Sequence, residues 1–377
     1  MATGPAPERL LIIGGGVVGL AVGWKVAQRG VAVTILERGQ AGREASWAAA
    51  GMLGAAAEAH FQDARNVPLR NASLALYPAF VRELEAATGQ DVDYRTEGTI
   101  ELSLEADHTA ELRRHYDYQR EHGLPVEWLS GDAVRELEPQ LSNYAAAGVL
   151  CAADHQVDNR RLVTALRAAF LGAGGELHEQ TEVERLIVEQ GRCVGVLAAG
   201  ERRPADAVLV AAGSWSGMVG GLPPAERPPV RPVKGQMLAL GAPDVAYVRH
   251  VIRTPDVYIV PKSDGRIVLG ATVEEMGFNR ELTAGGIYEL LKGAWEAMPG
   301  VYDLPIVEMW CGFRPGSRDD SPLLGATGLP GLYMACGHYR NGILMTPGTA
   351  VHMATLLVDG TTPEVLKPYD PRRFASV

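Results

Sequence analysis

The stretch Arg9-Leu10-Leu11-Ile12-Ile13-Gly14-Gly15-Gly16-Val17-Val18-Gly19-Leu20 runs an apolar strand straight into glycines spaced G-x-G-x-x-G, and Thr34-Ile35-Leu36-Glu37 closes a second apolar strand on an acid. The spacing gives each glycine a task. Gly14 permits the tight turn out of the strand, Gly16 lets backbone approach a pyrophosphate, and Gly19 lets the following helix pack close to the sheet. The N-terminus of that helix offers N–H groups and partial positive charge to phosphates. Glu37, about 20 residues beyond the glycines, is placed to accept hydrogen bonds from ribose hydroxyls. Strand, helix, strand and acid in this order predict an adenine-dinucleotide site, which a lone glycine triplet would not.

The rest of the composition narrows the class. With 377 residues, 47% hydrophobic and 21% charged, the chain is long enough for two domains of ordinary globular character. Its 45 acidic and 35 basic side chains give a formal charge of −10, which argues against a nucleic-acid partner. Cys151, Cys193, Cys311 and Cys336 lie far apart without a C-x-x-C pair, so neither zinc nor a disulfide framework is indicated and a cytoplasmic setting is expected. No metal-ligand cluster and no Ser/His/Asp triad stands out. The apolar run 10–24 is glycine-rich and lacks a basic leader, and no run reaches the roughly 18 apolar residues of a membrane span. The expectation is a soluble, unprocessed protein.

Periodicity predicts helices over 77–89, 106–122, 159–172 and 286–297, with a short capped helix in the stretch 129–139 stopped by Pro139. Strands are expected over 94–104, 183–188, 194–198, 207–213, 236–240, 257–261, 266–270 and 332–335. The prolines between 223 and 232 mark a boundary. A second glycine-flanked turn, Gly337-His338-Tyr339-Arg340-Asn341-Gly342, precedes a helix expected from about Ile343, with Pro347 tolerated in its first turn.

Several of these motifs carry a resemblance: the opening G-G-G-V-V-G, Ala48-Ala49-Ala50-Gly51-Met52-Leu53-Gly54, Pro232-Val233-Lys234-Gly235-Gln236, Tyr258-Ile259-Val260-Pro261, Gly270-Ala271-Thr272, Gly312-Phe313-Arg314-Pro315-Gly316, and His338 to Leu344. In order and over nearly the whole chain, they resemble glycine oxidases of the D-amino-acid oxidase group of flavoproteins, which are associated with thiamine biosynthesis. The resemblance implies an α/β fold: a Rossmann-like FAD-binding domain with an inserted, mostly antiparallel α+β substrate domain. Residues 1–85, 151–232 and 309–377 would build the first, and 86–150 and 233–308 the second. It also implies non-covalent FAD, a small amino-acid substrate, molecular oxygen as acceptor, and a homo-oligomer, in the family a tetramer. Carried over by position, the flavin contacts would be Gly14, Gly16, Val17, Val18 and Gly19 in the turn, and Glu37 with Arg38 at the ribose. Ala45, Ser46, Ala50, Gly51 and Met52 would lie along the isoalloxazine, Val183 would meet the adenine side through backbone, Gly213 would also bind the cofactor, and His338, Tyr339, Arg340, Asn341, Gly342, Ile343 and Leu344 would close over the ring. Met52, Tyr258, Arg314 and Arg340 would line the substrate pocket.

The chemistry fits these residue types. FAD performs the oxidation by accepting hydride at N5, so the protein must bind, orient and tune. A guanidinium grips a carboxylate with two parallel N–H bonds, which makes Arg314 the expected clamp, with the Tyr258 hydroxyl donating to the same group. Hydride transfer needs no acid–base pair but does need a neutral substrate amine, so turnover is expected to rise with pH. The helix near Ile343, and His338 with it, would stabilise negative charge on reduced flavin. Cys311 reads as a small packing residue, with a covalent flavin tether as the alternative. Val273 stands where the family often has methionine, which should widen the pocket. Three other readings stay open: a flavin dehydrogenase using a quinone or protein acceptor, a flavin subunit of a heteromeric sarcosine or proline oxidase, and an NAD-dependent dehydrogenase. The second glycine turn speaks against the last.

Overall fold

The computed structural model describes residues 7–59 and 61–374. Arg9–Ile13 is the centre of a six-stranded sheet, flanked in parallel by Ala32–Leu36 and Ala207–Val210. Leu332–Cys336 and Glu176–His178 extend it in parallel, and Leu323–Ala326 closes one edge antiparallel. A central strand covered on both faces is apolar throughout instead of alternating, and from Leu10 onward this one is. Leu10 and Ile12 pack under the helices Val17–Ala27, Val67–Thr88, Asn159–Gly172 and Thr346–Asp359. Leu11 and Ile13 face the other way, toward the three-stranded sheet of Val183–Glu189, Arg192–Ala198 and Glu201–Pro204. The glycine turn works sterically as expected: a Cβ on Gly19 would lie 2.0 Å from the Gly14 carbonyl oxygen, and Gly14 has φ +108.

Departures from the sequence reading sit at element ends. The helix expected over 77–89 is Val67–Thr88 and runs through Pro78. Proline costs one helical hydrogen bond there, and burial of Tyr77, Phe80, Val81 and Leu84, with the Tyr77 hydroxyl donating to Ile343 O at 2.7 Å, holds the helix across it. The last helix begins at Thr346, one turn later than expected, with Pro347 in its first turn. The strand expected over 94–104 is confined to Thr99–Ser103. Pro232 does not break the chain into a linker but lies within the strand Arg231–Gly241.

A second, eight-stranded sheet has the order Ile306–Gly316, Arg231–Gly241, Arg266–Gly270, Tyr258–Pro261, Val251–Arg253, Thr99–Ser103, Ala147–Cys151, Val126–Ser130. Every neighbouring pair is antiparallel except Val251–Arg253 with Thr99–Ser103. One face packs on Ala284–Ala297 and Gly131–Leu137 through Leu238, Ile252, Ile259, Leu269, Leu290 and Val134. The strand Ile306–Gly316 is continuous through position 308/309, so the residues after 308 begin inside this second sheet. Positions 1–6, 60 and 375–377 of the expected segments lie outside the described residues.

Candidate active site

A cavity of about 570 Å³ lies between the two sheets. At its dinucleotide end the wall is made by Gly14, Gly16, Val17 and Val18 of the turn, Glu37 and Arg38 after the second strand, and Val183 and Gly213 across from them. The Glu37 carboxylate is oriented by two backbone donors, Gly15 N and Gly39 N, each at 2.8 Å. Those bonds use two of its roughly four acceptor positions. Ser46 Oγ accepts from Val17 N at 2.9 Å and so caps the helix that follows the turn.

Ala45, Ser46, Ala50, Gly51 and Met52 line the middle of the cavity. Side chains from three other elements fix the backbone carbonyls of this segment. Asn159 Nδ2 donates to Ser46 O at 2.8 Å and Trp47 O at 2.9 Å. Trp310 Nε1 donates to Ala48 O at 3.0 Å, and Lys262 Nζ to Ala50 O and Val157 O, both at 2.7 Å. Lys262 is buried, and desolvation brings its pKa down to about 8. A flat wall of small residues is thus held rigid from behind.

The second glycine turn closes the far side. His338, Tyr339, Arg340, Gly342 and Ile343 line the cavity, whereas Asn341 and Leu344 do not reach it. Asn341 N bonds to His338 O within the turn, and Leu344 is part of the helical core. Gly19 likewise stands outside the lining, beneath the first turn. His338 Nε2 lies 3.1 Å from Thr349 Oγ1, and burial pulls its pKa down to about 4. It is therefore a neutral side chain bonded into the last helix. Arg340 is exposed, its guanidinium 5.1 Å from the Tyr339 ring centre. Cys311 Sγ donates to Arg280 O at 3.2 Å and is not part of the lining.

Arg314 and Tyr258 meet at the end under the eight-stranded sheet. Arg314 Nη1 donates to Thr272 O at 3.0 Å and Lys234 O at 3.3 Å, which fixes the guanidinium plane beside the Tyr258 hydroxyl. The plane lies flat because residue 235 is glycine: a Cβ there would sit 2.6 Å from both Nη atoms. Gly270 does the same for Tyr258, whose hydroxyl would be 2.5 Å from a Cβ at that position. Burial raises the Tyr258 pKa, against the opposing pull of the Arg314 charge, so the phenol keeps its proton and can donate. Val273 lines the cavity and is about half exposed, at 54%. Among the lining residues that the sequence did not point to is a charged pair, Arg253 and Glu58. Each was signalled by a lone charge in an apolar setting, Val251-Ile252-Arg253 and Ala55-Ala56-Ala57-Glu58-Ala59.

A glycine-turn sheet, a long cavity and a second sheet roofing it define a two-domain dinucleotide enzyme, and residues 9–356 match the FAD dependent oxidoreductase family, to which the chain belongs. The glycine oxidase of Geobacillus kaustophilus is 38% identical over 367 residues, covering 96% of each chain. The crystal structure of glycine oxidase from the same organism superposes with a TM-score of 0.89 at 36% identity, over 96% of this chain and 98% of that one. The bifunctional protein ThiO/ThiG of Synechocystis is 35% identical over 97% of this chain, which spans 54% of that longer protein. The cofactor is FAD, and the residues fit it. The turn at Gly14 to Val18 presents backbone instead of side chains, the helix N-terminus faces the cavity, and Ala48 to Gly51 form a flat, small-residue wall. Among the described residues, no helix is long and apolar enough to cross a membrane.

Proposed function

We propose that the chain is a glycine oxidase, acting on glycine and also on sarcosine and small D-amino acids, with a role in thiamine biosynthesis. The observation that carries this reading is the placement of Arg314 and Tyr258 in the FAD cavity on the face opposite the glycine turn. When bound, FAD supplies the oxidant, taking hydride at N5 from the substrate α-carbon and yielding the electrons to oxygen as hydrogen peroxide. Arg314 holds the substrate carboxylate through its guanidinium, and the Tyr258 hydroxyl donates to the same group. Holding one end of so small a molecule fixes the direction of its C–H bond, which is where orientation contributes to rate. The imine product hydrolyses to a 2-oxo acid, glyoxylate from glycine, with ammonia or a primary amine.

The other residues take supporting roles in this reading. Glu37 and Arg38 meet the ribose, Val183 and Gly213 flank the nucleotide, Ala45 to Met52 lie along the ring, and the 338–343 turn closes over it, with Arg340 at the mouth. Four cysteines without a disulfide suit a cytoplasmic setting. The homo-oligomer belongs to the same proposal, as does the assignment of segments 86–150 and 233–308 to the substrate domain.

The test is hydrogen peroxide yield from purified protein with glycine, sarcosine, D-alanine and D-proline, repeated with Arg314→Ala. Losing the charged contact should cost about 2 to 4 kcal/mol in kcat/KM. Turnover that survives the substitution would overturn the clamp, and amine-dependent dye reduction without peroxide would make the enzyme a dehydrogenase. The rate should also rise with pH as the amine loses its proton. A flat profile through the neutral to alkaline range, with chemistry limiting, would contradict hydride transfer from the neutral amine.

A further inference from the structure

One register row crosses the eight-stranded sheet through Trp310, Met237, Gly270, Tyr258, Arg253 and Glu101, each paired with the next. Directly opposed residues share a face of the sheet, so Arg253 and Glu101 stand on the same side as Tyr258. The cavity continues past Tyr258 along this row to Arg253. There Arg253 Nη1 donates to Glu58 Oε1 at 2.6 Å, and the two side chains keep 20% and 16% of their surface exposed.

The pair is built in from behind. Glu101 is buried next to Arg253, and its oxygens are taken by Gln119 Nε2 at 2.8 Å and His115 Nδ1 at 3.1 Å. Arg70 Nη1 donates to Glu58 O at 2.6 Å, fixing the backbone that carries the acid. Among the described residues, Glu58 is the one hydrogen-bond partner of the Arg253 guanidinium. Most of the fork's donors therefore remain for whatever occupies the cavity.

The pair lines the same cavity as Arg314 and Tyr258, next to Tyr258 in the sheet, where the α-substituent of a substrate gripped by those two would have room. We propose that Arg253 and Glu58 determine substrate specificity: they admit hydrogen or a polar, hydrogen-bonding substituent and reject an apolar one of the same size. The physical cause is desolvation. An apolar group seated on the pair removes its remaining water and returns no hydrogen bond, and buried charge left in that state is costly. An amide or hydroxyl both donates to Glu58 and accepts from Arg253. A site that offers hydrogen bonds discriminates against an analogue without them far more strongly than an apolar pocket discriminates by a methylene.

The inference rests on the proposed carboxylate clamp, so its test must not need turnover. Succinamate and 4-methylpentanoate are near-isosteric carboxylates, one ending in an amide and the other in two methyl groups. Their dissociation constants can be read from perturbation of the flavin spectrum in the holoenzyme. Succinamate should bind about tenfold or more tighter, and the double replacement Arg253→Met with Glu58→Leu should abolish or reverse that preference. D-Asparagine against D-leucine in kcat/KM should follow the same order. Equal binding of the two carboxylates by the unmodified enzyme would overturn the proposal even if the double variant fails to fold. So would a double variant that keeps the preference. If neither carboxylate perturbs the flavin and Arg314→Ala changes nothing, the clamp itself is wrong. A preference without glycine oxidation leaves the pair's role standing and removes the activity.

Discussion

Arg314 and His338 depend on opposite kinds of environment. Arg314 is aimed by what is missing beneath it. Gly235→Ala would place a Cβ within 2.6 Å of both Nη atoms, so the guanidinium must lift from its two carbonyl partners. A displacement of about 1 Å in a positioning group can cost about 100-fold in rate. Glycine kcat/KM should fall by that order while FAD content stays unchanged, and an unaffected kcat/KM would show that the clamp tolerates movement. His338 is held by what surrounds it. Its folded pKa of about 4 lies below the unfolded value, so its stabilising contribution is intact above about pH 6.5 and is lost as pH falls toward 4. The shift corresponds to about 3 kcal/mol at most. The urea midpoint of the holoenzyme should drop between pH 7.5 and pH 5, and His338→Gln should flatten that drop. An equally steep fall in the variant would place the acid sensitivity elsewhere.

Between single residues and the whole lies the segment 46–51, whose regular structure is confined to the single helical turn Ala45–Ala48. Its shape is fixed by Asn159, Trp310 and Lys262, three donors each more than a hundred positions from the carbonyl it holds. Lys262→Met would strand the carbonyls of Ala50 and Val157, and each buried acceptor left unpaired costs about 1 to 3 kcal/mol. The expected result is a lower urea midpoint together with weaker FAD affinity, measured by flavin fluorescence. An unchanged affinity would detach Lys262 from the cofactor wall. This dependence also marks what sequence reading could reach. The strand at Arg9–Ile13 and the helix Asn159–Gly172 were legible because burial on defined faces writes itself into local periodicity. Arg314 and Tyr258 were legible through motifs that keep glycine beside them. Arg253 and Glu58 were not, because their pairing spans 195 positions and depends on register across a sheet. The extension of Val67–Thr88 through Pro78 was hidden for a related reason, since tertiary burial outweighed the local penalty.

Across the whole molecule, the loop 271–283 bridges the two halves of the cavity. Phe278 stacks on Trp215 with ring centres 4.7 Å apart, and Arg280 Nη2 donates to Glu44 Oε1 at 2.7 Å. The ion pair is exposed and worth little, so the aromatic stack carries the closure. Phe278→Ala should speed FAD release several-fold, read as flavin fluorescence recovered after dilution, and Glu44→Ala should scarcely alter it. Equal rates in all three proteins would show that the loop covers nothing. The end of the strand Ile306–Gly316 has a wider effect. Gly316 bridges to His338, and Tyr339 N donates to Pro315 O at 3.0 Å, so the strand bearing the guanidinium is stitched to the turn that closes over the ring. Ligands on two sides of one stitched backbone share a linkage free energy, and linkage is reciprocal. Acetate at saturating concentration should tighten FAD by the same factor by which FAD tightens acetate, so a scarce substrate would also regulate how much of this enzyme keeps its cofactor.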